Sequence, residues 1–164
     1  MPILDPHKIE FVSHSPDQTK RLGIRLGSML KNGDVVALSG DLGSGKTTFV
    51  QGLAKGWGSL DPVTSPTFII VNIYRKQDDC NLYHMDAYRL ENELEAEDLD
   101  IDMMLTHGAL VVEWPLKILG ALPVDKIWVH FTWIADEKRM LVFEPEGNPY
   151  RNILLEFKKQ AFGG

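Results

Sequence analysis

The stretch Gly40-Asp-Leu-Gly-Ser-Gly-Lys-Thr47 constrains this chain more than any other part of it. It fits G-x-x-x-x-G-K-[ST] at every position. A short apolar run, Val35-Val-Ala-Leu-Ser39, precedes it, and a helical pattern through Phe49, Val50, Leu53 and Ala54 follows it, closed by Gly58. A continuous apolar run of that kind reads as a strand buried on both faces. Strand, glycine loop and helix in succession form a P-loop. Glycines let backbone N–H groups turn inward around phosphate oxygens, and the helix start adds its unsatisfied N–H groups and positive dipole end. Gly40, Asp41, Leu42, Gly43, Ser44, Gly45, Lys46, Thr47 and Thr48 are the residues expected to bind a nucleoside triphosphate. Lys46 reaches the β- and γ-phosphates as a catalytic cation, and the Thr47 hydroxyl takes a place on Mg²⁺.

The rest of the chain reads as strands mixed with helices. A strand ends at Ser13. A helix begins with Ser15 as N-cap and Pro16 at its first position, runs through Leu22, Leu26, Met29 and Leu30, and closes at Gly33. Residues 68–74 and 82–85 form a hairpin, because the polar turn 76–79 is too short for a crossover helix. Residues 91–105 are helix-compatible and acidic. Residues 109–113 are a buried strand. Residues 127–133 alternate, with Ile127, Val129, Phe131 and Trp133 on one face, and 140–143 complete the strands before a closing helix over 150–162. The expectation is an α/β fold: a three-layer P-loop NTPase domain spanning 1–164 around a mixed central sheet, its last few residues frayed.

Charge and composition narrow the function. Seventeen basic residues face 23 acidic ones, a net charge of −6, so a chain gripping nucleic acid with its own surface is disfavoured. No apolar run approaches a membrane span, no signal peptide is visible at the N-terminus, and a single cysteine, Cys80, allows no internal disulfide. The expected location is the cytoplasm.

A P-loop works with an acidic residue at the end of a second strand. Two qualify. Glu113 ends a run of four apolar residues, so its carboxylate should emerge from a buried strand at the metal. Asp86 ends Asn81-Leu-Tyr-His-Met-Asp86, a mixed segment that reads as more mobile and partly exposed, and is assigned to the attacking water near the γ-phosphate. An ordinary strand-end carboxylate and a turn-starting or helix-capping aspartate are the plainer readings of the two. Thr64 and Thr67 lie where nucleotide-sensing switches often fall, or form a Ser/Pro turn. His84 is a proton shuttle or a half-buried strand histidine with a satisfied hydrogen bond. Trp114 lines the nucleotide pocket or packs. The acidic stretch 91–102 is a solvated face or a dock for a basic partner.

No N-K-x-D tetrapeptide occurs and no aspartate has glycine three residues later, which argues against a GTPase. A small-molecule kinase remains the rival enzyme, disfavoured by the lack of an arginine-rich lid; only Arg89 lies near a suspected active-site strand. A nucleotide-gated binding module, with incidental hydrolysis, is the non-catalytic alternative.

Taken in order, the glycine loop with Thr48, Ser65-Pro-Thr67, His84-Met-Asp-Ala-Tyr-Arg-Leu90 and Glu113-Trp-Pro115 resemble the TsaE family, over residues 15–123. That resemblance implies slow ATP hydrolysis in the service of threonylcarbamoyl modification of the adenosine beside the tRNA anticodon. It also implies the partners TsaB and TsaD, with tRNA met only through their complex. It matches Thr47 and Glu113 to the magnesium positions and Asp86 to hydrolysis, and puts Ser15 and Thr19 where the adenine pocket begins. Ser44 stands where the family usually has alanine, Ala87 where a larger apolar residue is usual, and Leu116 where a polar one is common. Nothing is carried over beyond Pro123.

Overall fold

The structure is a computed structural model, and it describes residues 7–41, 43–63, 71–76, 80–88 and 90–162. Among the described residues, seven strands form one sheet: β1 (Ile9–Ser13), β2 (Val35–Ser39), β3 (Val71–Arg75), β4 (Asn81–Asp86), β5 (Gly108–Glu113), β6 (Lys126–Ala135) and β7 (Lys138–Glu146). Five helices among the same residues accompany them: α1 (Pro16–Gly27), α2 (Lys46–Trp57), α3 (Glu93–Glu97), α4 (Ile101–His107) and α5 (Asn148–Phe162). A 3₁₀ segment, Pro115–Ala121, follows β5. The strand order is β1-β7-β6-β2-β5-β4-β3. The central strands β6, β2, β5 and β4 run parallel, while β3 and β7 run against them. The sheet is therefore mixed and the fold α/β, in three layers.

Alternation along each strand divides the core between two faces. Val36 and Leu38, Ala109 and Val111, and Ile127, Val129 and Phe131 pack against Leu26 of α1, Phe49 and Leu53 of α2 and Phe157 of α5. Val35, Leu110, Val112 and Met85 pack on the opposite face against Ala96, Ile101, Met104 and Ile118. α1 and α2 approach backbone to backbone. A Cβ on Gly23 would lie 2.3 Å from Phe49 O, and one on Gly52 would lie 2.1 Å from Lys20 O. Only glycine fits such a seam, and it ties α1 to the helix that follows the loop.

Several elements differ from expectation. α1 ends at Gly27 and not at Gly33, because the Ser28 hydroxyl donates to Arg25 O and the chain turns there; Gly33 lies beyond, at φ 95°. The acidic stretch forms two helices. Asp100 takes φ 53° and its carboxylate accepts from Met103 N, which starts α4 afresh. Trp133 stays on the face that Ile127, Val129 and Phe131 share but stands exposed there, since β6 and β7 run on past the body. The segment before Asp86 is not exposed: β4 is an inner strand, so Tyr83, His84 and Met85 are all buried. Among the described residues no helix is long and apolar enough to cross a membrane.

Candidate functional site

The glycine loop joins the end of β2 to the start of α2. Gly40, Gly43 and Gly45 have φ of 140°, 76° and 102°, the left-handed region that favours glycine. At Gly40 space forbids anything else as well, because a Cβ would sit 2.8 Å from Phe131 O. Gly45 caps α2 without offering a side chain to its first N–H groups, which leaves that helix start available to an anion. Ser44 is buried and its Oγ meets no partner among the described residues. Thr47 and Thr48 stand half-buried in the first turn of α2.

Lys46 is buried, and its Nζ donates to Gly40 O at 2.7 Å and lies 4.4 Å from the centre of the Trp114 ring. Burial lowers its pKa, while the carboxylates of Glu113, Asp86 and Asp41 act in the opposite sense. A buried ammonium over an aromatic face, with three carboxylates acting on it, is a charge held ready for an anion.

Those acids arrive by strand register. Asp86 and Glu113 are direct partners across the parallel pair β4–β5, and Leu38 is Glu113's partner on the other side. Paired positions in a sheet share a face, so both carboxylates lie on the α1–α2 side, as Leu38 does. Glu113 Oε2 lies 2.6 Å from His84 Nε2, and His84 Nδ1 lies 2.9 Å from the Tyr74 hydroxyl. With His84 neutral, Nε2–H donates to Glu113 and Nδ1 accepts from Tyr74, which meets both ring nitrogens. The reading of His84 as a satisfied strand histidine fits this geometry. Asp86 Oδ1 accepts from Tyr88 N at 2.9 Å, closing a tight turn after β4. Trp114 holds φ 59° and packs on Tyr88 at 5.2 Å between ring centres, while Lys117 Nζ donates to Tyr88 O.

The fold thus gathers Gly40, Gly43, Ser44, Gly45, Lys46, Thr47, Asp86, Glu113, His84 and Trp114. Ser15 is the N-cap of α1, accepting from Gln18 N at 3.2 Å. Thr19, one turn on, is buried with its hydroxyl 2.7 Å from Ser13 Oγ, and its methyl lies beside Gly45. Leu42, Thr64, Thr67 and Arg89 lie outside the described residues. Sequence reasoning missed Arg139, whose Nη2 donates to Gly43 O at 3.2 Å. No local pattern marks an arginine on a distant strand as a neighbour of the loop. Among the described residues no cluster of three or more His, Cys, Asp or Glu side chains forms a cage for a metal ion. The donor set suits magnesium, which is commonly held by one or two protein oxygens together with phosphates and water.

The model of the family "Threonylcarbamoyl adenosine biosynthesis protein TsaE" matches residues 13–141, reaching past Pro123 to the first residues of β7. The tRNA threonylcarbamoyladenosine biosynthesis protein TsaE of Bacillus subtilis is 38% identical over 146 residues, 88% of this chain and 90% of that protein. Its namesake from Streptomyces coelicolor is 50% identical over 110 residues, 66% of this chain and 74% of that protein. The crystal structure of Bacillus subtilis YdiB superposes with a TM-score of 0.77 at 31% identity, covering 93% of this chain and 95% of that one.

Proposed function

The chain belongs to the TsaE family, and on that premise we propose that it is a magnesium-dependent ATPase of tRNA threonylcarbamoyladenosine biosynthesis. It acts in the cytoplasm on a complex of TsaB and TsaD. It meets tRNA only through them, in keeping with its own net charge of −6. The observation that carries the ATPase reading is the buried Lys46, lodged between the glycine loop and the paired carboxylates of Asp86 and Glu113.

In this reading the chain is one P-loop domain. Backbone N–H groups of Gly43 and of Gly45 to Thr48 face the phosphates, and Lys46 exchanges Gly40 O for the β- and γ-phosphate oxygens. The Thr47 hydroxyl and Glu113 would hold Mg²⁺, which would supply positive charge against that developing on the phosphates. His84 fixes the rotamer of Glu113. Asp86, on the neighbouring strand, orients water toward the γ-phosphate. Ser15 and Thr19 stand at the edge of the adenine pocket, Trp114 lines the site over Lys46, and Thr64 and Thr67 belong to a nucleotide-sensing segment. Turnover is slow in the isolated chain and rises with its partners.

The test is phosphate release from Mg-ATP by the chain alone and with purified TsaB and TsaD. Slow release, accelerated by the pair and lost in Asp86→Asn while nucleotide binding persists, is the expected result. Release indifferent to the pair would sink the partner assignment, and transfer to a small-molecule acceptor would favour a kinase.

A further inference from the structure

Arg139 is the second residue of β7, paired with Ser13 of β1 on one side and with Trp133 of β6 on the other. It shares a strand face with Leu141 and Phe143, which are buried under the helices. One step beyond them, at the strand's start, the same face meets the glycine loop. Its guanidinium spans three carbonyls there. Nη1 donates to Ala135 O at 2.9 Å and to Lys138 O at 3.1 Å, and Nη2 donates to Gly43 O at 3.2 Å. The first two belong to the β6–β7 turn, where Glu137 holds φ 64°. The side-chain stem also lies against the loop: Cγ is 3.7 Å from where a Cβ on Gly45 would stand.

We propose that Arg139 is a positioning residue for nucleotide binding, its guanidinium fork clamping the Gly43–Ser44 peptide to the β6–β7 turn. This rests on the reading of residues 40–48 as a phosphate-binding loop. The physical argument concerns one peptide plane. In a trans peptide the carbonyl and the following N–H point opposite ways, so a donor on Gly43 O also sets the direction of Ser44 N–H. That N–H in turn donates to Asp41 O at 3.2 Å, which fixes the plane from its other side. Gly43, at φ 76° and with nothing among the described residues within 4 Å of a would-be Cβ, has no side chain of its own to resist rotation. A loop that must present N–H groups to an anion needs its carbonyls turned away, and Arg139 holds one of them away.

Lysine cannot replace this function. It brings one compact charge where the planar guanidinium brings a fork matched to several acceptors. The experiment compares the parent with Arg139→Lys and Arg139→Ala in the full chain. Mg-ADP affinity is measured by calorimetry, and hydrogen exchange at the amides of residues 43–45 is measured without nucleotide. Circular dichroism checks that each variant is folded at the assay temperature. The expected result is a loss of affinity of roughly tenfold in both variants, with a comparable acceleration of exchange. Affinity and exchange both within about twofold of the parent would overturn the clamp. So would parental behaviour in Arg139→Lys beside a weak Arg139→Ala, since charge and not the fork would then be at work. If the parent binds no Mg-ADP, the phosphate-loop reading falls, and the exchange data still decide the clamp.

Discussion

His84 Nε2 stands 2.6 Å from Glu113 Oε2 inside the sheet, and the same imidazole takes the Tyr74 hydroxyl on its other nitrogen. A strand-end carboxylate left alone would sample several rotamers. This one is oriented by a fully buried ring that is itself held in place. Removing a partner that orients a metal-binding group commonly costs 10–100-fold in metal affinity or activity. His84→Ala should therefore raise the Mg²⁺ concentration needed for half-maximal hydrolysis by at least roughly tenfold. His84→Gln, which keeps a donor of similar reach, should lose less. An unchanged Mg²⁺ titration in His84→Ala would remove the positioning role.

Lys46 gives a signed pH dependence. Burial holds its pKa below the usual 10.5, so the folded chain releases this proton before the unfolded chain does. Between the lowered value and 10.5 the unfolded state binds more protons, and this group's contribution to stability rises with pH. Nucleotide affinity should move the other way, because phosphate favours the ammonium and binding must take up the proton already lost. The check is affinity for Mg-ADP and chemical stability across the alkaline range, each as the difference between parent and Lys46→Met. Affinity in the parent that stays flat up to pH 10.5 would refute the coupling.

The glycine loop was legible because its chemistry is contiguous: eight residues carry the turn, the cation and the helix start together. The strand end at Glu113 was legible from the apolar run before it, and that at Asp86 from the mixed strand-like segment that it closes. What escaped depends on neighbours that sequence does not reveal. His84 is buried because β3 covers the outer edge of β4, which a mixed Tyr-His-Met run does not disclose. The break between α3 and α4 rests on one left-handed aspartate, Asp100, where a helix-compatible acidic stretch suggested continuity. Arg139 meets the loop only after β7 has folded back along β6, and Trp133 is exposed for the related reason that the same hairpin overruns the body.

Tyr150 offers a test of how α5 is attached to the strand that feeds the loop. Its hydroxyl donates to Asp34 Oδ1 at 2.9 Å, and Asp34 Oδ2 accepts from Lys31 N at 2.7 Å just before β2 begins. Tyr150→Phe leaves a largely buried carboxylate oxygen short of a donor, and should cost about 1.5–3 kcal/mol in urea unfolding. Burial first, then the Asp34 charge, raises the phenol's pKa above its ordinary 10.0. The stabilisation is accordingly complete below pH 10.0 and is lost as pH climbs through the raised value. The difference between parent and Tyr150→Phe should be the same at about pH 7 and pH 9. A difference that shrinks between them would contradict the raised pKa.

The seam between α1 and α2 makes the strictest steric prediction. Gly52 brings its Cα against α1 so closely that an added methyl would meet Lys20 O at 2.1 Å, and Gly23 faces Phe49 O across the same seam. Both obstructing atoms are backbone, so no side-chain rotation relieves the clash and the two helices must separate. Overpacking of this kind typically costs about 1–3 kcal/mol. Gly52→Ala should reach at least the upper part of that range, despite alanine's higher helix propensity. Because α2 begins at Lys46 and α1 carries Thr19 beside Gly45, the separation should also be felt at the loop. The variant should bind Mg-ADP more weakly even at temperatures where it is fully folded. A Gly52→Ala chain that melts at or above the parent's temperature would show that the helices do not meet as closely as this seam requires.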